Sequence, residues 1–320
     1  MNGVLSLHAH DVLAAAARIA PHAHVTPVLR SHALDALAGA SLVFKAEHLQ
    51  RSGAFKFRGA CNAVWALSPE QAAAGVVTHS SGNHGAALAL AARTRGIACH
   101  VVVPEGAVAT KLANIARQGA TLWRCAPTIQ AREQTCAQVQ ADTGATLVHP
   151  YADARVIAGQ GTAALELVQA AGPFDVLVVP VGGGGLAAGT ALALQHPASQ
   201  ARLVLAEPAG AADTARSLQA GERRVDFVPD TLCDGLRGTL GAPNFEILQR
   251  AGADVIVVDD AATVQAMRLL WQVLKQLVEP SSAIALAAVL AQPQRFAGLR
   301  VGLVLSGGNV DIDALPWGCS

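Results

Sequence analysis

The sequence is short of aromatic rings, of charge and of paired cysteines, and each shortage excludes a class of protein. Aromatics make up 4% of the 320 residues and charged residues 14%, with one tyrosine and two methionines. A core therefore cannot rest on large rings; Ala, Val, Leu and Ile must fill it at helix and strand periods, which favours an α/β protein. Lys+Arg and Asp+Glu stand at 23 each, so no field of one sign draws nucleic acid or a membrane surface, and a small, locally recognised ligand is expected. The six cysteines, Cys61, Cys99, Cys125, Cys136, Cys233 and Cys319, include no C-x-x-C pair. A chain this long needs no disulfides, and reduced thiols in a cytoplasm are expected. Near the start, His8, His10 and Asp11 interrupt any apolar stretch of the kind an export signal needs. One long uncharged run, Val176 to Leu194, contains Pro180 and four consecutive glycines, so a strand, a loop and a helix explain it better than a membrane span.

What is present is an alternation. Short β-branched runs, LVFKA (42–46), VVTH (76–79), HVVV (100–103), VLVVPV (176–181), LVLA (203–206), VIVV (255–258) and VGLVL (301–305), recur between Ala-rich stretches. Strands apolar on both faces imply a parallel sheet between helices. Helices are predicted over 85–93, 111–117, 157–171 and 261–278 from apolar spacing. No repeat or charged linker breaks the pattern, and the length suits two lobes sharing an interface.

Four segments carry chemistry. In SGAFKFRGA (52–60), Lys56 opens a helix that ends near Ala66; the positive end of the helix dipole disfavours an ammonium, and Schiff-base chemistry needs the neutral amine. Alone, Lys56 and Arg58 would read as surface charges beside a turn. In Thr78-His-Ser-Ser-Gly-Asn-His-Gly85, small polar residues open an Ala-rich helix and bring N–H donors towards an anion, or else Ser81 or Asn83 simply caps that helix. After the strand VLVVP, Gly182, Gly183, Gly184 and Gly185 let the backbone wrap a phosphate at a helix start. The same loop satisfies G-x-G-x-x-A through Gly182, Gly184 and Ala187, with Glu207 ending a later strand, so a nicotinamide-dependent enzyme is a rival reading. Ser306-Gly-Gly-Asn309 closes the last strand and alone would be a Gly-rich exit from the sheet.

In this order the segments, with VIAGQGT (156–162), EPSSA (279–283) and LSGGNVD (305–311), resemble the fold-type II pyridoxal-phosphate (PLP) enzymes from about residue 20 to 312. They are most similar to the serine racemases and the dehydratases of serine, threonine and 3-hydroxyaspartate. The resemblance implies a tryptophan synthase beta-like fold: two three-layer α/β/α domains with mostly parallel sheets. The large PLP-binding domain would comprise 1–50 and 145–320 and the small one 51–144, with the cofactor in the cleft. It implies Lys56 as the Schiff-base lysine, Phe55 on the ring, Asn83 at the ring 3′-oxygen, Gly182 to Gly185 around the phosphate and Ser306 at the pyridine nitrogen. Gly235 and Glu279 are implied as further cofactor contacts.

By the same resemblance, Ser80, Ser81, Gly82, Asn83 and His84 would hold the substrate α-carboxylate, and Lys56 would take the α-proton as general base while the β-hydroxyl leaves. The expected reaction is dehydration of L-serine, L-threonine or L-threo-3-hydroxyaspartate to a 2-keto acid and ammonia. Racemisation is the alternative, because Ser81 matches the racemase hydroxyl opposite the lysine; His149-Pro-Tyr-Ala-Asp153 departs from the racemase pattern, which has Asn-Gln after the proline. Arg132, otherwise a solvated charge beside Glu133, aligns with an arginine that can receive a second carboxylate. Glu207, the carbonyl of Ala211 and Asp213 match a site for Mg²⁺, or for Ca²⁺ or Mn²⁺. His79 and His84 lack the carboxylate or thiol company of a zinc site and read as loop-ordering groups. A homodimer is expected, and a C-terminal regulatory domain is not.

Overall fold

The structure is a computed structural model that describes residues 7–196 and 199–317; Cys319 lies outside the described residues. Ten strands occur: β1 (Val28–Leu29), β2 (Ser41–Lys45), β3 (Val76–Thr78), β4 (Cys99–Pro104), β5 (Thr121–Cys125), β6 (Thr146–Leu147), β7 (Val176–Pro180), β8 (Arg202–Pro208), β9 (Asp254–Val258) and β10 (Arg300–Val304). They form a six-stranded sheet, β1-β2-β10-β7-β8-β9, and a four-stranded sheet, β5-β4-β3-β6. All pairs are parallel except β1 with β2.

Side-chain alternation explains why these strands read as unbroken apolar runs. Leu42, Phe44, Val176 and Val178 enter one core of the large sheet, and Val43, Leu177 and Val179 enter the core on its other face. In the small sheet, Val76, Val101 and Val103 pack on one side, and Val77 and Val102 on the other. A strand covered on both faces has no polar face to show. The edge strand β5 is half exposed and mixes polar with apolar residues, so its sequence carried no such run. The helix expected over 261–278 is shorter: it runs Asp260–Gln272, and Lys275 beyond it takes a left-handed φ of 60° that no helix continues.

Three helices meet at glycines, and their meeting sets the geometry of the centre. Helix Ala154–Ala171, buried along most of its length, lies between helix Lys56–Trp65 and helix Gly185–Leu194. A methyl on Gly159 would lie 2.6 Å from Cα of Gly59, and one on Gly161 would lie 2.5 Å from the carbonyl oxygen of Gly189. The glycines of VIAGQGT thus bring the lysine helix and the tetraglycine helix against one backbone.

A buried ionic cluster fixes the same region. Arg58, fully buried, donates Nε and Nη2 to Glu47 at 2.7 and 2.8 Å, and Nη1 and Nη2 to Glu166 at 2.7 and 2.8 Å. Lys45 Nζ donates to Glu166 at 2.6 Å and to the Thr26 carbonyl at 2.8 Å. Burial works against the Arg58 charge, but the two carboxylates outweigh it and hold its pKa above the ordinary value. A guanidinium so enclosed is tolerable because its donors are taken. Arg58 is therefore no surface charge; it ties the end of β2 and the central helix to the first turn that carries Lys56.

Candidate active site

The motif segments follow the C-terminal ends of β2, β3, β7 and β10, where parallel sheets present loops to ligands. Phe55 N donates to the Ser306 carbonyl at 2.9 Å, Ala54 bridges Gly307, and Gly308 N donates to the Gly53 carbonyl at 2.9 Å. Asn309 Nδ2 donates to the Ser52 carbonyl at 2.8 Å and to Asn83 Oδ1 at 2.9 Å. Asn83 Nδ2 donates to Glu279 at 2.9 and 3.2 Å, and Glu279 N to the Gly307 carbonyl at 3.1 Å. Gly235 N donates to Ser281 Oγ at 2.9 Å, and Ser306 Oγ to the Ser281 carbonyl at 3.4 Å. One connected set thus joins Lys56, Asn83, Gly235, Glu279 and Ser306.

Lys56 Nζ is half-buried and donates to the Pro150 carbonyl at 3.0 Å, 5.1 Å from the centre of the Phe55 ring. Burial pushes its pKa down from 10.5 to about 8, with the Glu279 charge opposing. Burial is the first cause here, ahead of the helix-end argument made from sequence. Glu279, buried, is itself raised to about 7, chiefly by desolvation and against its hydrogen bond from Asn83. Each group is thus held nearer neutrality than in water.

The helix starts reveal what the site lacks. Elsewhere Ser31, Ser68, Thr128, Asp153 and Asp259 cap their helices with side-chain oxygens. At this centre no side chain does so; helices Ala109–Arg117 and Ala242–Arg250 also start without a cap, but their first residues are exposed to water. Helix Asn83–Arg95 has Gly82 as its cap residue, so neither Ser81 nor Asn83 plays the capping role open to them from sequence. Helix Gly185–Leu194 has Gly184, with φ of 87°, at that position, and Gly182 to Gly185 are buried. Donors at a buried helix start need a partner, and an anion supplies it. A methyl on Gly182 would meet the Leu236 backbone at 2.7 Å, so backbone closes over the loop. A PLP phosphate fits this cradle, and its aldehyde fits the depressed Lys56 amine.

The remaining groups fall around this centre. Ser80 and Ser81 are half-buried and their hydroxyls make no hydrogen bond among the described residues. His84 is buried with Nε2 3.2 Å from the Val148 carbonyl, so that nitrogen carries the proton; burial and the Lys56 charge hold its pKa well below 6.5. Arg132, on helix Ile129–Thr143, is half-buried, its Nε is without a partner, and its charge is felt at His79. It is therefore not the freely solvated charge that Glu133 beside it suggested. Glu207 and Asp213 lie apart from Lys56 in sheet order, at the end of β8 and the start of the following helix. Glu207 accepts Thr214 N at 2.7 Å and Ala215 N at 2.8 Å, and Asp213 Oδ2 accepts Leu240 N at 2.8 Å while its Oδ1 is buried without a partner. Burial raises Glu207 to about 7 and Asp213 to about 6. With both its oxygens on those amides, Glu207 is not placed as the ribose-binding acid of a dinucleotide unit. No group of three or more His, Cys, Asp or Glu converges as a metal site among the described residues.

A family of proteins described as "Pyridoxal-phosphate dependent enzyme" matches residues 19–307. The chain belongs to this family. Its sequence is 48% identical over 307 residues, 96% of this chain and 98% of the relative, to a beta-hydroxyaspartate dehydratase of Paracoccus denitrificans (strain Pd 1222). It is 46% identical to a serine racemase of Arabidopsis thaliana, over 98% of this chain and 94% of the relative. The structure is similar to that of maize serine racemase with a TM-score of 0.91 at 43% identity, over 96% of this chain and 95% of that one. Membership supports PLP as the cofactor, and the nicotinamide reading falls. Two groups at the site had no clear signal in the sequence. The Pro150 acceptor of Lys56 is a backbone oxygen, and Asn309 sat in a motif that alone reads as a turn. No described helix is long and apolar enough to cross a membrane, and Val176–Leu194 is indeed a strand, a loop and a helix.

Proposed function

We propose that the chain is a PLP-dependent ammonia-lyase that converts a 3-hydroxy amino acid, L-serine, L-threonine or L-threo-3-hydroxyaspartate, to a 2-keto acid and ammonia. The observation that carries this reading is the depressed Lys56 amine together with the buried, uncapped start of helix Gly185–Leu194. When bound, PLP supplies an aldehyde to the amine and a ring that draws electrons from the substrate Cα. Gly182 to Gly185 would hold the phosphate, Phe55 would line the ring, Asn83 and Glu279 would act as a pair towards the ring oxygen, and Gly235 and Ser306 would complete the contacts. The substrate carboxylate is received by the N–H groups at Gly82 to His84 and by the free Ser80 and Ser81 hydroxyls. Lys56 would take the α-proton at Nζ, and passing a proton from that ammonium to the β-hydroxyl would let it leave as water. Hydrolysis returns one water, so the net products are the keto acid and ammonia.

The half-buried Arg132, with an unpartnered Nε, supports a substrate that brings a second carboxylate, and the Paracoccus relative's name points the same way. Racemisation as a side reaction is supported by the free Ser81 hydroxyl and by the Arabidopsis relative's name. Mg²⁺, or another hard divalent ion, would suit Glu207, the Ala211 carbonyl and Asp213, since two carboxylates buried without a cation are strained towards protonation. The small lobe around β3 to β6 would close on the cleft.

The deciding experiment replaces Lys56 with Ala: yellow colour and turnover should vanish together, and an active Lys56→Ala protein refutes the reading. Turnover of the three substrates with and without Arg132→Ala then selects among them. Selective loss with 3-hydroxyaspartate supports the second-carboxylate role, and equal activity removes it.

A further inference from the structure

The chain's single tyrosine sits where the proposed cofactor loop and the catalytic lysine meet. A methyl on Gly183 would fall inside the contact envelope of the Tyr151 ring, and methyls on Gly185, Gly238 and Gly241 would lie 3.1, 3.4 and 3.3 Å from Tyr151 atoms. Glycines from two stretches of chain therefore line a slot that any side chain would narrow, and Tyr151 occupies it. The backbone is pinned too. Asn244 Nδ2 donates to the Tyr151 carbonyl at 2.9 Å and to the Gly183 carbonyl at 2.6 Å, bridging the two loops. His149 Nδ1 accepts Ala152 N at 3.0 Å, and its ring meets the Tyr151 ring edge-on at 4.6 Å. Between His149 and Tyr151 lies Pro150, whose carbonyl receives Lys56 Nζ.

We propose that Tyr151 is a positioning residue: its ring, seated among Gly183, Gly238 and Gly241, fixes the distance between the phosphate loop and the carbonyl that orients Lys56. The consequence is a shared reference for the two ends of the cofactor, the phosphate and the aldehyde carbon, built from one side chain. The contacts with Gly183, Gly238 and Gly241 are made by ring carbons and that with Gly185 by Cα and Cβ, so phenylalanine should serve as well as tyrosine, whereas a smaller residue leaves a void against backbone that glycines cannot fill. The inference rests on the reading of Lys56 and the tetraglycine loop as the cofactor site.

The test uses Tyr151→Phe, Tyr151→Ala and Lys56→Ala proteins, each followed by PLP titration of the apoprotein, by the pH profile of the yellow chromophore and by kcat and KM. Tyr151→Phe should match the parent. Tyr151→Ala should bind PLP about tenfold more weakly and lose roughly 100-fold in kcat, with KM little changed, as expected for a misplaced reacting group. Parent-like PLP affinity and kcat in Tyr151→Ala overturn the proposal, as does an equal loss in Tyr151→Phe, which keeps the ring. Should Tyr151→Ala fail to fold, Tyr151→Leu, which removes the ring but keeps part of its volume, must show the weakened PLP binding, or the proposal is wrong. The two readings fail separately: a chromophore that persists in Lys56→Ala removes the lysine assignment, whereas an intact Lys56 chromophore with parent-like Tyr151→Ala kinetics removes only the role of the tyrosine.

Discussion

Removing the Glu279 charge should make Lys56 a better nucleophile at neutral pH. Burial lowers the lysine pKa from 10.5 to about 8, and the only charge that pushes it back up is that of Glu279. The drop enlarges the neutral fraction at pH 7 roughly 300-fold over an ordinary lysine, to about one tenth of the molecules. Glu279→Gln keeps an oxygen to accept from Asn83 Nδ2 but carries no charge. If the lost attraction amounts to about 1.4 kcal/mol, the lysine falls by about one pH unit and about half of it is neutral at pH 7. The assay is the initial rate at which apoprotein and PLP form the yellow Schiff base, measured from pH 6 to 10. For the parent, the rate should climb tenfold per pH unit and level off near pH 8. For Glu279→Gln the plateau should begin near pH 7, with about a twofold gain at that pH, smaller than a fully charged partner would give because Glu279, itself raised to about 7, is only half ionised there. A parent midpoint near 10.5 would refute the burial argument, and an unmoved or raised midpoint in the variant would refute the pairing with Glu279.

Arg58→Met leaves Glu47 and part of Glu166 buried without a counter-charge, and chemical denaturation should register a loss of about 3–5 kcal/mol that Arg58→Lys, with its single ammonium, does not restore. Gly159→Ala drives a methyl into the Gly59 backbone; we expect a lower melting temperature, about 1–3 kcal/mol of lost stability, and weaker PLP binding as the two helices part. Glu207 and Asp213 have folded-state pKa values above their ordinary 4.5 and 3.8, so their contribution is full below those values and is lost as pH rises through about 6 to 7. For Glu207 the loss is about 3 kcal/mol. Protein in EDTA should therefore melt at lower temperature at pH 7.5 than at pH 5, and Mg²⁺ should remove most of that slope; identical slopes with and without Mg²⁺ would exclude the ion from this pair. Glu279, also raised to about 7, adds a part that Mg²⁺ leaves unchanged.

The architecture was largely legible because its signals are local. Parallel strands covered on both faces must be continuously apolar, and β2, β3, β4, β7, β8 and β10 each showed that run, as did β9, an apolar edge strand that is only partly covered. Strands β1 and β6 are two residues long and β5 is a half-exposed edge, so none carried a run long enough to see. The helix past Gln272 was overextended because apolar spacing cannot register a left-handed residue such as Lys275.

By itself the sequence determined which residues could do the chemistry: a lysine at a helix start, a tetraglycine turn after a strand, and Ser-Gly-Asn and Ser-Gly-Gly-Asn loops whose order fits one family of enzymes. Only tertiary structure decided how those groups are tuned. Desolvation, not helix position alone, depresses Lys56. The uncapped start of the tetraglycine helix gains meaning only from its burial, and the acceptors at Pro150 and Ser306 are backbone oxygens that no residue letter encodes. The physical reason is range: turn and strand preferences act over a few neighbours, whereas burial and hydrogen-bond satisfaction depend on atoms that the fold brings from as far as residue 53 to residue 308.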